Sequence, residues 1–187
     1  MRCFIAINFS PAICRKLKDL QHSLQIARAD VKWVEENNFH LTLYFLGEVD
    51  QEEIPAIQQL LQATTREVPP FTVEFDTLGT FPPRGVPRVV WIGLKESTPL
   101  QELYRSLLGR LKILGYKEEK KPFFPHVTLG RVRSPRNTGH LVKLLKTVRG
   151  SIPAEEVREI FLMESTLTPK GPIYEVVSRF SLKKSSG

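Results

Sequence analysis

His40-Leu41-Thr42-Leu43 and His126-Val127-Thr128-Leu129 repeat one pattern, H-x-T-L, in opposite halves of a 187-residue chain. In each copy a titratable ring interrupts an apolar run: NFHLTLYFLG over residues 38–47 and FPHVTLGR over 124–131. Side chains alternate between the two faces of a strand, so the His and Thr of each copy point the same way. Leu41 and Val127, between them, point to the other face, where an apolar core would hold the strand. One such histidine is ordinarily a satisfied or surface residue. Two copies in matching strand contexts imply two lobes related by pseudo-symmetry, each offering one His and one Thr to a shared cleft.

Two imidazoles and two hydroxyls facing one another suit phosphodiester chemistry. In-line displacement at phosphorus needs a base on the attacking side and an acid on the leaving-group side. Histidine serves both, because its ordinary pKa of about 6.5 lies close to working pH. Threonine hydroxyls can donate to the non-bridging oxygens, whose charge persists through the transition state. No metal is required. Each motif His has Thr two residues on, where a zinc site would have a carboxylate or a second His. Glu35, Glu36 and Glu48 near the first motif have no counterpart around the second. Motifs for a phosphate-binding loop, a nucleophile elbow and a Cys–His pair are absent. The expectation is an enzyme without metal or cofactor.

Strands and helices must bring the two motifs together. Residues 2–9 alternate as a strand, and Ser10 with Pro11 reads as a cap and first turn. Ile13, Leu17, Leu20 and Leu24 then form the stripe of an amphipathic helix. Short strands are expected at 31–34 and 40–46. Asp50 with Glu53 makes a capping box for a second helix carrying Ile54, Ile57 and Leu61. FTVEF (71–75) and RVVWIGL (88–94) read as strands, with FPPRGVP between them as a loop or flap. Thr98, Pro99 and Gln101 open a third helix with Leu100, Leu103, Leu107 and Leu111 on one face. A strand over 125–132 follows, then a fourth helix over about 138–149. Strands near 157–166 and 173–182 flank TPKGP. This order lacks regular βαβ alternation and argues for α+β with antiparallel sheets.

HLTLYFLGEV, PFFPHVTLGR, RCFIAI and RVVWIGL resemble the RNA 2′,3′-cyclic phosphodiesterases, also called 2′-5′ RNA ligases. These belong to the two-histidine phosphoesterases, and the resemblance spans nearly the whole chain in matching order. It implies a single bilobal domain over 1–187, with two pseudo-symmetric lobes, each an antiparallel sheet flanked by helices, around a central groove. It implies hydrolysis of RNA 2′,3′-cyclic phosphate ends to 2′-phosphomonoesters, with reversible 2′-5′ ligation in some members. Carried onto this chain, His40 would be the general acid for the departing 3′-oxygen and His126 the base for water. Thr42 and Thr128 would bind phosphate. The family also uses the positions of Phe45 and Arg131 around the terminal nucleotide. By strict alternation both lie on the face opposite their histidines, so a bulge or strand end must redirect them, or Tyr44 replaces Phe45. Arg131 is expected on phosphate, with Gly130 permitting the adjustment; Phe45 stands between base stacking and core.

The rest of the composition agrees. Hydrophobic residues make up 41% and charged residues 25%, ordinary for a globular chain. A net charge of +7, concentrated late in KEEKK, RVRSPR, Lys143, Lys146 and Arg149, favours a polyanionic partner such as an RNA end, tRNA fragments included. No apolar run reaches the roughly 20 residues of a membrane span. Cys3 and Cys14 read as small apolar filling. The expectation is a cytoplasmic monomer that leaves the membrane alone, with a frayed tail at 183–187. His22 and His140 read as surface residues, Trp33 and Trp91 as mainly buried, and Phe123 and Phe124 as packing. The rival reading is a non-catalytic module that binds single-stranded RNA ends through basic and aromatic contacts.

Overall fold

The computed structural model describes residues 1–184. Ten strands and four helices follow in the order β1 (Arg2–Asn8), α1 (Pro11–Gln25), β2 (Val31–Trp33), β3 (His40–Glu48), α2 (Ile54–Thr65), β4 (Phe71–Val73), β5 (Phe75–Phe81), β6 (Val89–Leu94), α3 (Thr98–Ile113), β7 (His126–Val132), α4 (Thr138–Thr147), β8 (Glu155–Val157), β9 (Glu159–Thr168) and β10 (Gly171–Ser181). Eight of the described strands form one antiparallel sheet, in the order β10-β9-β1-β3-β7-β6-β5 with β2 also on β7, and β4 pairs with β8 apart from it. Between β3 and β7 the path is held by a single register pair, Leu41 with Val127. That thin join divides the sheet into two limbs, β10-β9-β1-β3 and β7-β6-β5 with β2. These are the two expected antiparallel lobes.

Helices cover one face of each limb. α2 packs on β9 and β10 and against α3, while α4 packs on β5 and against α1. The apolar stripes explain why. Ile13, Leu17, Leu20 and Leu24 of α1 are all buried, as are Leu100, Leu103, Leu107 and Leu111 of α3. Each such side chain contributes roughly 1.5–3 kcal/mol of transfer free energy on burial. Leu41, Val127 and Leu129 join this core from the motif strands. Ser10 caps α1 by accepting the Ile13 amide at 3.4 Å. Ser97, one residue ahead of the expected start, caps α3. The Asp50–Glu53 capping box is present and leads through a 3-10 turn into α2. Cys3 and Cys14 are buried free thiols; burial, then Glu155, pushes the Cys14 thiol up to about 11, far from a nucleophilic thiolate.

Three details differ from the sequence reading. FTVEF is divided: β4 pairs with β8 in a separate two-stranded sheet, and β5 begins at Phe75 as the edge of the main sheet. FDTLGTF was hidden because Asp76 and Gly79 look like turn residues. Gly79 is there because the Trp91 indole lies on it; an added Cβ would sit 2.4 Å from that ring. Finally, Lys183 is tied down by its amide to the Val68 carbonyl at 2.8 Å, against the expected fraying; 185–187 of that tail lie outside the described residues. No helix of the described residues is long and apolar enough to cross a membrane.

Candidate active site

Leu41 opposite Val127 fixes the relation of the two motifs. Carrying that antiparallel register one residue either way sets His40 across from Thr128 and Thr42 across from His126. Side chains directly opposed have Cβ atoms about 4.5–5.5 Å apart, and same-face neighbours along a strand about 6.8 Å. The four side chains therefore mark the corners of a patch about the size of a phosphate group, with the imidazoles on one diagonal and the hydroxyls on the other. Flanking strands extend the rows: Asn8 lies beside His40 and Ala6 beside Thr42, while Trp91 lies beside Thr128 and Gly93 beside His126. Ala6 and Gly93 are small and buried, which lets the flanking rings close over them: Phe4 and Met163 on the Ala6 side, Trp91 and Phe124 on the Gly93 side.

Both rings are held the same way. His40 Nδ1 lies 2.7 Å from the Asn38 carbonyl oxygen, and His126 Nδ1 lies 2.7 Å from the Phe124 carbonyl oxygen. A carbonyl only accepts, so each Nδ1 carries the hydrogen and donates it. The second nitrogen, Nε2, is the atom left to gain or lose a proton. Pro125 extends the chain between Phe124 and His126, and Asn38 ends a 3-10 turn just before β3.

The alternation problem is solved twice by the same device. In β3, Ala6 pairs with Thr42 but Ile5 with Tyr44, so Leu43 is an extra residue. In β7, Trp91 pairs with Thr128 but Val90 with Gly130, so Leu129 is extra. Each bulge re-aims the residues next along its strand. Phe45 comes to the histidine face beside Phe4 and is 59% exposed. Arg131 comes to the same face opposite Val89. Tyr44 is corrected: the bulge turns it into the core at 6% exposure, where its hydroxyl donates to the Lys117 carbonyl at 2.5 Å. It does not line the cleft.

A buried amide holds the second bulge. Gln21, on the apolar face of α1, donates through Nε2 to the Leu129 carbonyl at 2.8 Å and the Val34 carbonyl at 2.9 Å. The Val34 amide also bonds the Leu129 carbonyl, at 2.9 Å. Gly130 serves this arrangement by size. A Cβ there would lie 2.5 Å from Val31 Cγ1 and 3.0 Å from Trp33 Cε3, so only glycine lets β2 pass. Trp33 thus packs behind β7 and is not part of the cleft. Gln21→Met keeps the length and removes both donated bonds; the Leu129 carbonyl keeps the Val34 amide and the Val34 carbonyl loses this donor, a net cost of about 1 kcal/mol. A thermal melt should show a midpoint lower by about 2–4 °C for each kcal/mol lost; an unchanged midpoint would refute the clamp.

Aromatic rings surround each imidazole. His40 has Phe4 at 5.0 Å and Tyr174 at 5.2 Å between ring centroids. His126 has Phe81 at 5.1 Å, Phe124 at 5.9 Å and Trp91 at 6.3 Å. Phe124, expected to pack, is instead 48% exposed, whereas Phe123 stacks on Tyr104 at 4.0 Å. Burial holds both imidazoles below the ordinary histidine range; the bonds to the Asn38 and Phe124 carbonyls oppose this, and the Arg131 charge adds to it for both. The His126 charge lowers His40 further. Burial raises the Tyr174 hydroxyl, with Arg131 and Arg2 pulling it back. Arg131 therefore acts electrically on both histidines and on Tyr174. Phe4, Phe81 and Tyr174 gave no sequence signal, since nothing local ties their strands to the motifs. Among the described residues no three His, Cys, Asp or Glu side chains group as metal ligands; His140 is exposed on its helix, as is His22.

The family described as the 2'-5' RNA ligase superfamily matches residues 9–166. An RNA 2',3'-cyclic phosphodiesterase of Archaeoglobus fulgidus is 40% identical over 176 residues, covering 94% of this chain and 97% of its own. Another of that name, from Methanothermobacter thermautotrophicus, is 33% identical over 183 residues, covering 97% and 99%. A crystal structure of a Thermus thermophilus protein superposes with a TM-score of 0.83 at 30% identity, covering 99% of this chain and 100% of that one. E. coli LigT complexed with 3'-AMP gives 0.78 at 26% identity, covering 98% of each chain.

Proposed function

The chain belongs to the 2'-5' RNA ligase superfamily, and from that premise we propose that it opens RNA 2′,3′-cyclic phosphate ends to 2′-phosphomonoesters by acid–base catalysis from His40 and His126. The observation that carries this is the diagonal pair of imidazoles, each with Nδ1 committed to a carbonyl and Nε2 free, around two threonines on one open face. His126 Nε2 takes a proton from water as the water oxygen attacks phosphorus in line with the P–O3′ bond. His40 Nε2–H gives its proton to the departing O3′. The products are a 2′-phosphomonoester and a free 3′-hydroxyl, and proton exchange with solvent resets the pair. Thr42 and Thr128 donate to the non-bridging oxygens, and Arg131 neutralises them. Phe124, exposed beside His126, and Phe45, exposed on the same face beyond Phe4, offer faces for bases.

Lowered histidines fit this scheme. The free site holds both rings readily neutral, and the phosphate's negative charge offsets burial and Arg131 to favour the single proton that turnover needs. Run in the same direction with a 5′-hydroxyl in place of the attacking water, His126 takes the hydroxyl proton, His40 protonates the departing O3′, and the ends are joined through a 2′-5′ bond; the reverse of that step cleaves such a bond back to the cyclic phosphate. One chain supplies every group, so a monomer suffices, and RNA fragments with cyclic ends, such as cleaved tRNA, fit the open groove. Buried free thiols agree with a reducing, cytoplasmic setting.

A cyclic-phosphate-ended oligonucleotide incubated in excess chelator tests the reading. Full turnover to a 2′-phosphate is expected. Loss of turnover in chelator would overturn metal independence, a 3′-phosphate would overturn the assigned leaving group, and binding without turnover would leave only a binder of RNA ends.

A further inference from the structure

Beyond Arg131, away from the histidines, lies a groove of about 530 Å³ between residues 86–89 and 131–135. Arg88, Arg131 and Arg133 line it, and neither wall contains an acid. Lys32 stands across β2–β7 from Arg131. Among the described residues these four cations enter no ion pair, while Lys95, Arg110, Lys112 and Arg158 each do. Both walls are anchored: the Val132 amide donates to the Arg88 carbonyl at 2.8 Å and the Arg88 amide to the Phe81 carbonyl at 2.7 Å. Val86, 57% exposed, adds an apolar rim. Unspent guanidiniums on a fixed frame with an apolar lip match a phosphate and its nucleoside.

We infer that this groove binds the RNA backbone 5′ of the terminal nucleotide, making the site selective for oligonucleotides over cyclic mononucleotides. This rests on the RNA reading above. Direction follows from chemistry. The terminal phosphate is the cyclic one at the histidines, so every other phosphate in the substrate lies on its 5′ side. Arg133 lies two residues after Arg131, just past the end of β7 and held by its amide to the Asp30 carbonyl at 2.8 Å; extended backbone separates such residues by about 6.8 Å, so Arg131 can hold the reacting phosphate while Arg133 meets the next one. The RVRSPR run, basic without explanation at the motif itself, thereby gains a task.

The double variant Arg88→Ala/Arg133→Ala tests it, with a 2′,3′-cyclic mononucleotide and a cyclic-ended tetranucleotide as paired substrates. The unmodified protein should prefer the tetranucleotide. The variant should lose about tenfold in kcat/KM on the tetranucleotide alone, and its plot of log kcat/KM against log salt should flatten by about 1.4, near 0.7 for each lost phosphate contact. Equal losses on both substrates, or none on the tetranucleotide, would overturn the inference. If neither substrate turns over even with the unmodified protein, the catalytic reading has failed instead. Binding of a 2′-phosphate-ended tetranucleotide, weakened about tenfold by the variant if the groove is used and unchanged if it is not, then decides the groove by itself.

Discussion

His40→Ala and His126→Ala should each lower kcat/KM on a 2′,3′-cyclic-phosphate substrate by about 10²–10⁴-fold, the range for a lost general acid or base. Both rings are fixed by one Nδ1–H bond to a carbonyl two residues earlier, which leaves Nε2 for the proposed proton transfers. Asparagine is therefore the sharper probe, because its amide can still donate to that carbonyl while offering nothing at the Nε2 position. His40→Asn and His126→Asn should fold with unchanged circular dichroism and lose nearly as much activity as the alanine variants. Removing both should cost little more than removing one, since an acid without its base supports no concerted transfer. Each single variant should also erase one limb of the pH–rate profile. Substantial activity in either would place the chemistry elsewhere, and independent, fully additive losses would mean that the two rings do not share one phosphorus.

Much of this geometry is legible in the sequence itself. The H-x-T-L pair encodes its own face, because a period of two carries His and Thr together and puts Leu41 and Val127 in the core. The leucine stripes of α1 and α3 likewise announce their buried faces. The bulges were legible only as a contradiction, since Phe45 and Arg131 could not otherwise join their histidines. Which residue would be extra depended on what waits behind the strand: Leu43 and Tyr44 both find core, and the freed Leu129 carbonyl finds Gln21 and Val34. Gln21 reads as one more polar residue on a helix until the carbonyl it serves is placed across from it. The β3–β7 join was equally out of reach, because one register pair between distant segments leaves no local trace. Tyr174 and Phe81 reach the histidines from the outer strands β10 and β5, and only the complete sheet order connects them to the motifs.

Arg131→Gln should shift the whole pH–activity curve toward higher pH as well as lower it. In the free protein burial is the main force keeping both imidazoles below their ordinary value, with the Arg131 charge acting in the same direction on each. The proposed acid–base scheme requires one ring neutral and the other protonated. Activity therefore rises with pH through the base's pKa and falls through the acid's, and two lowered values set the kcat/KM optimum on the acid side of the usual histidine range. Taking away a nearby cation makes each imidazolium easier to keep, so both pKa values climb and both limbs move to higher pH. The same substitution should remove the proposed charge-assisted bonds to the phosphate, worth about 1.5–3 kcal/mol, or roughly 10- to 150-fold in kcat/KM. Arg131→Lys separates the two effects. It keeps the positive charge, so the limbs should hold their positions, but it loses the two-pronged geometry, so activity should still drop. Matching profiles for the Gln and Lys variants would show that Arg131 does not set the histidines' protonation and acts only as a ligand. A Gln variant as active as the unmodified protein would remove Arg131 from the site altogether, and with it the reason for the bulge that brings it there.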